Sequence, residues 1–241
     1  MRSFQAIIAV ADISGYTRFV MLHKTAIAHA EEIISELLET VTANAKTPLQ
    51  LHKLEGDAAF LYTEVTGSQD DAVQDVMQQV VAFMKAFEKK KTALFNKSVG
   101  GCICSACQSI ETLELKTVVH IGDVLEKEMS GFTELAGEPV IVAHRLMKNG
   151  LDQKSYVLVT DVIAARLDAD PYESSQQVVE HVEDVGDVGA VAYFPQVSVL
   201  DRKGVRPLAR PSSYPEIIRL FVASAHSKLR GLNRFYRNMP R

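Results

Sequence analysis

Two aspartates stand in settings that suit the binding of a divalent cation. Asp12 ends an apolar run that starts at Phe4, and Asp57 follows a glycine and precedes a second apolar run, residues 58–62. Carboxylates at the end of one buried strand and at a strand-to-strand turn can converge on one hard cation. Mg²⁺ is usually held by one or two carboxylates, with substrate phosphates and water completing its shell. Alone, Asp12 could be a helix N-cap and Asp57 a turn residue; together they favour a metal site.

The hydrophobic periodicity predicts the elements that must position this pair. An apolar run predicts a buried strand, apolar residues at helical spacing predict helices, and glycines mark turns. The predicted order is strand 4–11, helix 15–46, strands 49–55 and 57–64, helix 69–96, strand 113–121, a turn at Gly122-Asp123 with another short strand, helix 137–149, strand 156–159, short helix 160–168 and a hairpin over 178–197. This order predicts an α+β fold, a ferredoxin-like βαββαβ α/β sandwich with helices on one face, additional strands and a C-terminal helix.

Charge divides the 241 residues into two predicted regions. Residues 198–241 contain ten of the 26 Lys and Arg residues but two of the 30 Asp and Glu residues, although the whole chain has a net charge of −4. We therefore expect one large domain over 1–197 and a basic appendage over 198–241, with a linker at 198–213 and an amphipathic helix at 215–237. The appendage either packs on its own acidic domain or contacts a partner protein. It has no recognisable nucleic-acid motif, so no nucleic-acid partner is expected.

The sequence also predicts a compartment. It contains no stretch of 18 uncharged apolar residues and no signal-peptide pattern at its start, so neither a membrane span nor export is expected. Three cysteines are an odd number and suggest no disulfide framework. A cytoplasmic location is the expectation.

The three cysteines form a cluster of their own. Cys102, Cys104 and Cys107 lie in a predicted insertion, residues 97–112, between the second long helix and the next strand. Three thiolates could bind Zn²⁺, which takes four ligands in a structural site. His120, His52 or a residue of a partner chain could supply the fourth. Alternatively, the cysteines are small, partly buried residues of an inserted loop.

Several segments together resemble the catalytic domains of class III nucleotidyl (adenylate or guanylate) cyclases, in a divergent bacterial branch. Ala11-Asp12-Ile13-Ser14-Gly15-Tyr16-Thr17 resembles the opening motif of that family, and Lys53-Leu54-Glu55-Gly56-Asp57 resembles its second. Residues 118–124, 137–146 and 181–194 resemble, more loosely, a strand-turn, the helix with the catalytic asparagine and arginine, and the closing hairpin. The resemblance covers roughly residues 4–195.

The resemblance implies a metal-dependent reaction of ATP that gives cyclic AMP and pyrophosphate. Asp12 and Asp57, with the carbonyl of Ile13, would bind two Mg²⁺ or Mn²⁺ ions, which can stabilise both oxygens of an in-line displacement. Gly15, Tyr16 and Thr17 would offer backbone N–H groups to the phosphates.

The resemblance also implies base recognition and dimerisation. Lys53, with Glu134 as its acidic partner, would select adenine, and Arg145 would stabilise charge on the phosphate in the transition state. In the family the lysine and the arginine belong to the second subunit, which implies a homodimer. Without the resemblance, Lys53 is an ordinary strand lysine and Arg145 a solvated helix arginine.

One position departs from the family pattern. Ile141 stands where the catalytic asparagine, four residues before the arginine, is expected, and its side chain makes no hydrogen bond. The alternative is therefore a degenerate homologue that binds a nucleotide or another ligand, or acts as a dimeric regulatory or interaction module, without turnover.

Overall fold

The computed structural model describes residues 1–22, 27–98, 106–197 and 200. These residues form eight strands, five α-helices and a 3-10 helix at Cys107–Thr112. The strands are β1 (Arg2–Ser14), β2 (Gln50–Glu55), β3 (Ala58–Glu64), β4 (Glu114–Met129), β5 (Phe132–Ala136), β6 (Tyr156–Thr160), β7 (Ser174–Val182) and β8 (Gly186–Phe194). The α-helices are α1 (Tyr16–Leu22), α2 (Ile27–Asn44), α3 (Gln69–Ser98), α4 (Glu138–Leu146) and α5 (Asp161–Ala164).

The chain divides into two compact units. The described residues of the first are 1–14, 38–89 and 114–197, and they include all eight strands. The described residues of the second are 15–22, 27–37, 90–98, 106–113 and 200. Within the second unit the Lys90 ammonium pairs with the Glu36 carboxylate, so the C-terminal part of α3 is tied to α2.

One sheet organises the first unit. Its strand order is β2-β3-β1-β4-β6-β8-β7, and β5 pairs with β4 outside this path. The apolar run at 6–11 is fully buried in β1, which lies between β3 and β4 and pairs antiparallel with both. The pair β4–β6 is parallel, and the other neighbours are antiparallel. The sequence prediction of a mixed α+β sandwich with additional strands is confirmed.

Helices cover both faces of this sheet. Side chains alternate along a strand, and on one face the Thr117 hydroxyl lies 3.5 Å from the Met84 sulfur of α3. On the opposite face Ala143 of α4 joins a core with Ile8 and Val10 of β1. The expectation that all helices share one face is therefore wrong for α4. This short helix follows the β4–β5 hairpin and packs on the face of the sheet opposite α3.

A glycine accounts for one error in the predicted strands. Gly122 was expected to form a turn, but β4 continues through it to Met129. A Cβ atom at Gly122 would lie 2.4 Å from Cγ of Pro139, so the glycine is required for the close approach of α4. The turn instead lies at Ser130 and Gly131, whose φ angles are 55° and 82°. This hairpin leads into β5, so the short strand that the sequence predicts after the turn begins later than expected, at Phe132.

The other boundaries differ by smaller amounts. The predicted helix 15–46 comprises α1 and α2, with residues 23–26 outside the described part. Strand β7 begins at Ser174, four residues before the predicted hairpin. The predicted linker and helix after residue 197 lie outside the described residues, apart from residue 200. Within the described ranges, no helix combines the length and the apolar character that crossing a membrane requires.

Candidate functional site

Asp12 and Asp57 come together at one end of the β1–β3 pair. Asp12 is opposite Ala58 in the antiparallel register, and Asp57 is in the turn immediately before β3. The backbone N–H of Ile13 donates a 3.1 Å hydrogen bond to the Asp57 carbonyl oxygen, which fixes this turn against β1. The two carboxyl groups are close enough to hydrogen-bond with each other. The buried strand β1 and the β2–β3 turn thus place the two carboxyl groups next to each other.

The electrostatics of this pair suit a bound cation. Burial first, and the negative charge of Asp12 second, raise the pKa of Asp57 from 3.8 to about 6. Two carboxylates in one partly buried site repel each other, and a shared proton or a cation relieves the repulsion. Carboxylate oxygens are hard ligands of the kind that Mg²⁺ and Mn²⁺ prefer. The residues present therefore fit the metal that the sequence predicts, and its binding remains a prediction.

A lysine that the sequence analysis missed lies against the pair. Lys116 of β4 is directly opposite Asp12 in the β1–β4 register, and its Nζ is 3.1 Å from Asp12 Oδ2. The same ammonium group donates a 3.1 Å hydrogen bond to the Met147 carbonyl just after α4. Each of the two charged side chains is 21% exposed, so the ion pair is largely shielded from water. The sequence contains a signal that Lys116 is partly buried. Side chains alternate along a strand, so Lys116 lies on the same face of β4 as Val118, which is buried.

A second cluster surrounds Lys53 on the edge strand β2. Its Nζ lies 3.1 Å from Glu55 Oε1 and 3.3 Å from Glu134 Oε2. The structure thus places Lys53 beside the acidic residue that the sequence analysis assigned to it. Burial lowers the pKa of Lys53. Hydrogen bonds and ion pairs with the two glutamates outweigh this effect, so the pKa of Lys53 is raised above its ordinary value. The group is therefore held as a charged donor beside two acceptors.

Aromatic rings adjoin this lysine. The Phe60 centroid is 5.9 Å from the Lys53 ammonium, and the His144 ring stacks on Phe60 at 5.4 Å. His144 Nδ1 is also 3.6 Å from a Glu55 oxygen. The ring of His52 packs edge-on against Phe60 at 5.4 Å. Charged donors and acceptors beside stacked rings can recognise a planar, hydrogen-bonding ligand, but Phe60, His144 and Glu55 had no role in the sequence prediction.

Arg145 and Ile141 lie elsewhere on α4. The Arg145 guanidinium is 3.5 Å from the Glu183 carboxylate, and both side chains are more than half exposed. Such a surface ion pair contributes little to stability, so the arginine is available for another partner. Ile141 is 50% exposed, so its side chain is accessible on the surface of α4. The single chain therefore gathers the two aspartates in one cluster and the lysine with its glutamate in another, while Arg145 has a third location.

The predicted phosphate-binding residues begin helix α1 in the second unit. Gly15 has a φ of 92°, and a Cβ atom there would be 2.9 Å from the Thr112 carbonyl oxygen. The position therefore requires glycine on two grounds. The Tyr16 hydroxyl donates a 3.3 Å hydrogen bond to Glu31, so this side chain has a packing role. The phosphate contacts expected from Gly15, Tyr16 and Thr17 stay a prediction.

The proposed zinc site finds no support. Cys102 and Cys104 lie outside the described residues, and Cys107 is a buried residue whose Sγ is 3.5 Å from His29 Nε2. His120, one suggested ligand, instead places Nδ1 2.9 Å from the Thr160 hydroxyl. In the part of the chain that the structure describes, no three His, Cys, Asp or Glu side chains form a metal-binding group. The acidic pair is thus a two-carboxylate site, which substrate oxygens would have to complete.

Solved structures identify the fold of the chain. The structure matches the adenylyl cyclase CyaB from P. aeruginosa with a TM-score of 0.59 and 13% identity, over 83% of this chain and 98% of that one. It matches a bacterial light-regulated adenylyl cyclase with a TM-score of 0.57 and 11% identity, over 94% of this chain and 57% of that one. The chain thus spans little more than half of the light-regulated enzyme. The protein has the fold of a nucleotidyl cyclase catalytic domain.

Sequence comparison identifies the family of the chain. The family described as "Protein of unknown function (DUF2652)" matches residues 34–156, about half of the chain. A relative, the uncharacterized protein Rv2561/Rv2562 of Mycobacterium tuberculosis, is 32% identical over 154 residues, which are 64% of this chain and 69% of that protein. The chain belongs to the DUF2652 family.

Proposed function

We propose that this protein is a homodimeric adenylyl cyclase that uses Mg²⁺ or Mn²⁺ to convert ATP to cyclic AMP and pyrophosphate. The observation that carries the proposal is the meeting of Asp12 and Asp57 at the end of the buried strand β1. The fold supports the reaction class by analogy, since one fold can host several activities. The pair of carboxylates supplies the chemical reason to prefer catalysis that depends on a divalent cation.

The residues would divide the work as follows. Asp12 and Asp57 would hold the cations beside the triphosphate. When bound, the cations would lower the pKa of the ribose 3′-hydroxyl and neutralise charge on the phosphates. A bond forms between O3′ and the α-phosphorus, the bond from that phosphorus to the pyrophosphate oxygen breaks, and the hydroxyl proton passes to water. Arg145 of a second copy would stabilise the charge that develops on the α-phosphate.

The Lys53 cluster would select the base. The exocyclic amine of adenine donates a hydrogen bond, and its ring nitrogen accepts one. Glu134 offers an acceptor and Lys53 a donor within one cluster, because the two side chains lie 3.3 Å apart. The partly exposed ring of His144, which stacks on buried Phe60, would provide one wall of the site. We therefore propose ATP as the substrate.

Incubation with ATP and Mn²⁺ tests the activity. The wild-type protein should form cyclic AMP, whereas Asp57→Asn, which removes one of the two carboxylates, should reduce formation to background. Asp123→Asn is a matched control, because Asp123 is exposed on β4 outside the pair. Equal product from the wild type and Asp57→Asn would contradict the proposal.

Mixing two inactive variants tests the shared site. If the aspartates of one copy act with the arginine of the other, Asp57→Asn and Arg145→Ala chains form mixed dimers with one intact site of two. An equal mixture should then regain about a quarter of wild-type activity. A mixture that stays as inactive as its components would contradict a site shared between copies.

Ile141 favours a second function, the binding of ATP without turnover. Loss of one preorganised transition-state donor can cost about 10²–10³ in rate, and Ile141 supplies no hydrogen bond where the family has asparagine. Calorimetric binding of ATP with Mn²⁺, together with no cyclic AMP from the wild type, would favour this function.

A further inference from the structure

The ammonium group of Lys116 is a cation that the chain itself places beside Asp12 and Asp57. Lys116 is opposite Asp12 in the sheet, and its ammonium group is 3.1 Å from Asp12 Oδ2. A second contact of 3.1 Å, to the Met147 carbonyl, holds the ammonium at this place from the other side. Because both charged side chains are 21% exposed, water screens this pair only in part. The lysine therefore has a defined position and is not a mobile surface charge.

The ammonium changes what the acidic pair can bind. Asp12 and Asp57 carry two negative charges when both are ionised, and Lys116 offsets one of them. In the absence of nucleotide, two divalent ions beside this lysine would place five positive charges against two carboxylates. Charges separated by a few Å in a partly buried site repel strongly. In addition, the ion pair with Lys116 engages Asp12 Oδ2, one of the two oxygens that Asp12 can offer to a metal ion.

We propose that Lys116 takes the place of one of the two cations, so that each site binds a single divalent ion beside a permanent ammonium group. This inference rests on the proposed function, because it requires Asp12 and Asp57 to be metal ligands. It differs from the expectation of two ions per site that the family resemblance implies. The occupant is Mg²⁺ or Mn²⁺, which the oxygen ligands of Asp57 and Asp12 suit.

The competition between Lys116 and the metal can be measured without catalysis. Titration of the protein with Mn²⁺, with free Mn²⁺ followed by electron paramagnetic resonance, gives the affinity and the number of ions per chain. Lys116→Met removes the charge and keeps most of the side-chain volume. It should bind Mn²⁺ at least roughly tenfold more tightly than the wild type, and a second ion should become detectable.

Two variants separate the local effect from a general change of charge. Lys116→Arg keeps a cation opposite Asp12 and should bind Mn²⁺ as the wild type does. Lys148→Met removes an equal charge from an exposed residue and should change the affinity less than twofold. If Lys116→Met is unfolded, Lys116→Gln provides the same neutral test, because its amide can donate to the Met147 carbonyl.

The outcomes distinguish this inference from the proposed function. Two ions bound per chain by the wild type, or equal affinities for the wild type and the neutral variants, would overturn the role of Lys116. Loss of Mn²⁺ binding on Asp57→Asn would show at the same time that the acidic pair is the metal site. If Asp57→Asn in the Lys116→Met protein leaves Mn²⁺ binding unchanged, the metal lies elsewhere and the proposed function fails with the inference.

Discussion

Replacement of Asp57 by asparagine should stabilise the metal-free protein while it removes metal binding. Burial and the Asp12 charge raise the pKa of Asp57 from 3.8 to about 6, so the folded protein retains this proton more strongly than the unfolded chain. A raised carboxyl pKa means that ionisation opposes folding. The unfavourable contribution is absent below pH 3.8, grows as the pH rises to about 6 and is constant above that value.

The size of the effect follows from the shift in pKa. One pKa unit corresponds to about 1.36 kcal/mol, so the shift sets an upper limit of about 3 kcal/mol. Asp57 is partly exposed, and solvent screening reduces the expected gain to roughly 1–2 kcal/mol at pH 8. For a protein of this size, each kcal/mol moves Tm by about 2–4 °C. The variant should therefore melt a few degrees above the wild type in the presence of a chelator.

Urea unfolding between pH 4 and pH 8 measures this difference. The excess free energy of unfolding of Asp57→Asn over the wild type should be roughly 1–2 kcal/mol at pH 8 and fall to about 0.5 kcal/mol or less as the pH is lowered to 4. Asp123→Asn should show no such dependence, since Asp123 is exposed on β4. Added Mn²⁺ should stabilise the wild type and leave Asp57→Asn unchanged. A variant that is less stable than the wild type at pH 8, or a gain that does not vary with pH, would refute the reasoning.

Three further substitutions test other parts of the account. Lys53→Met should weaken calorimetric binding of an ATP analogue by roughly tenfold, because a charged donor beside Glu134 is lost; unchanged affinity would exclude Lys53 from the base site. Ile141→Asn should raise the rate of cyclic AMP formation by about 10², since it restores a hydrogen-bonding side chain; no increase would mean that α4 does not contact the reacting phosphate. Gly122→Ala should lower the free energy of unfolding by about 1–3 kcal/mol, because the added Cβ atom would be 2.4 Å from Cγ of Pro139. Gly150→Ala is the control and should be close to neutral, because the atom nearest to its Cβ, Glu180 Oε1, is 3.9 Å away.

Patterns that repeat within one element allowed much of the fold to be predicted. The apolar run before Asp12 predicts a buried strand, and β1 is buried as expected. The helical spacing of Val73, Val76 and Val80 likewise predicts α3, in which all three are buried. Errors arose where contact with another element decides the outcome. Gly122 permits the approach of Pro139 inside a continuous strand, and no pattern local to β4 distinguishes that role from a turn.

In the candidate site too, local motifs were predicted correctly, and a contact between distant parts of the chain was missed. The motif around Asp12 and the motif around Asp57 predict that both carboxyl groups meet, and the structure brings them into contact. The assignment of Glu134 to Lys53 came from the family resemblance, and the two side chains form an ion pair. Lys116 was missed because its partner, Asp12, lies 104 positions earlier in the chain and becomes adjacent only through the β1–β4 register. The period of two along β4 places Lys116 on the face of Val118, but it does not identify Asp12 as the partner.

The most direct test of the central claim is anomalous diffraction from crystals grown with Mn²⁺ and a non-hydrolysable ATP analogue. We expect a manganese peak about 2.0–2.3 Å from carboxylate oxygens of both Asp12 and Asp57, with the triphosphate bound to the same ion. Clear density for both carboxylates with no manganese between them, or manganese bound only elsewhere on the protein, would contradict it.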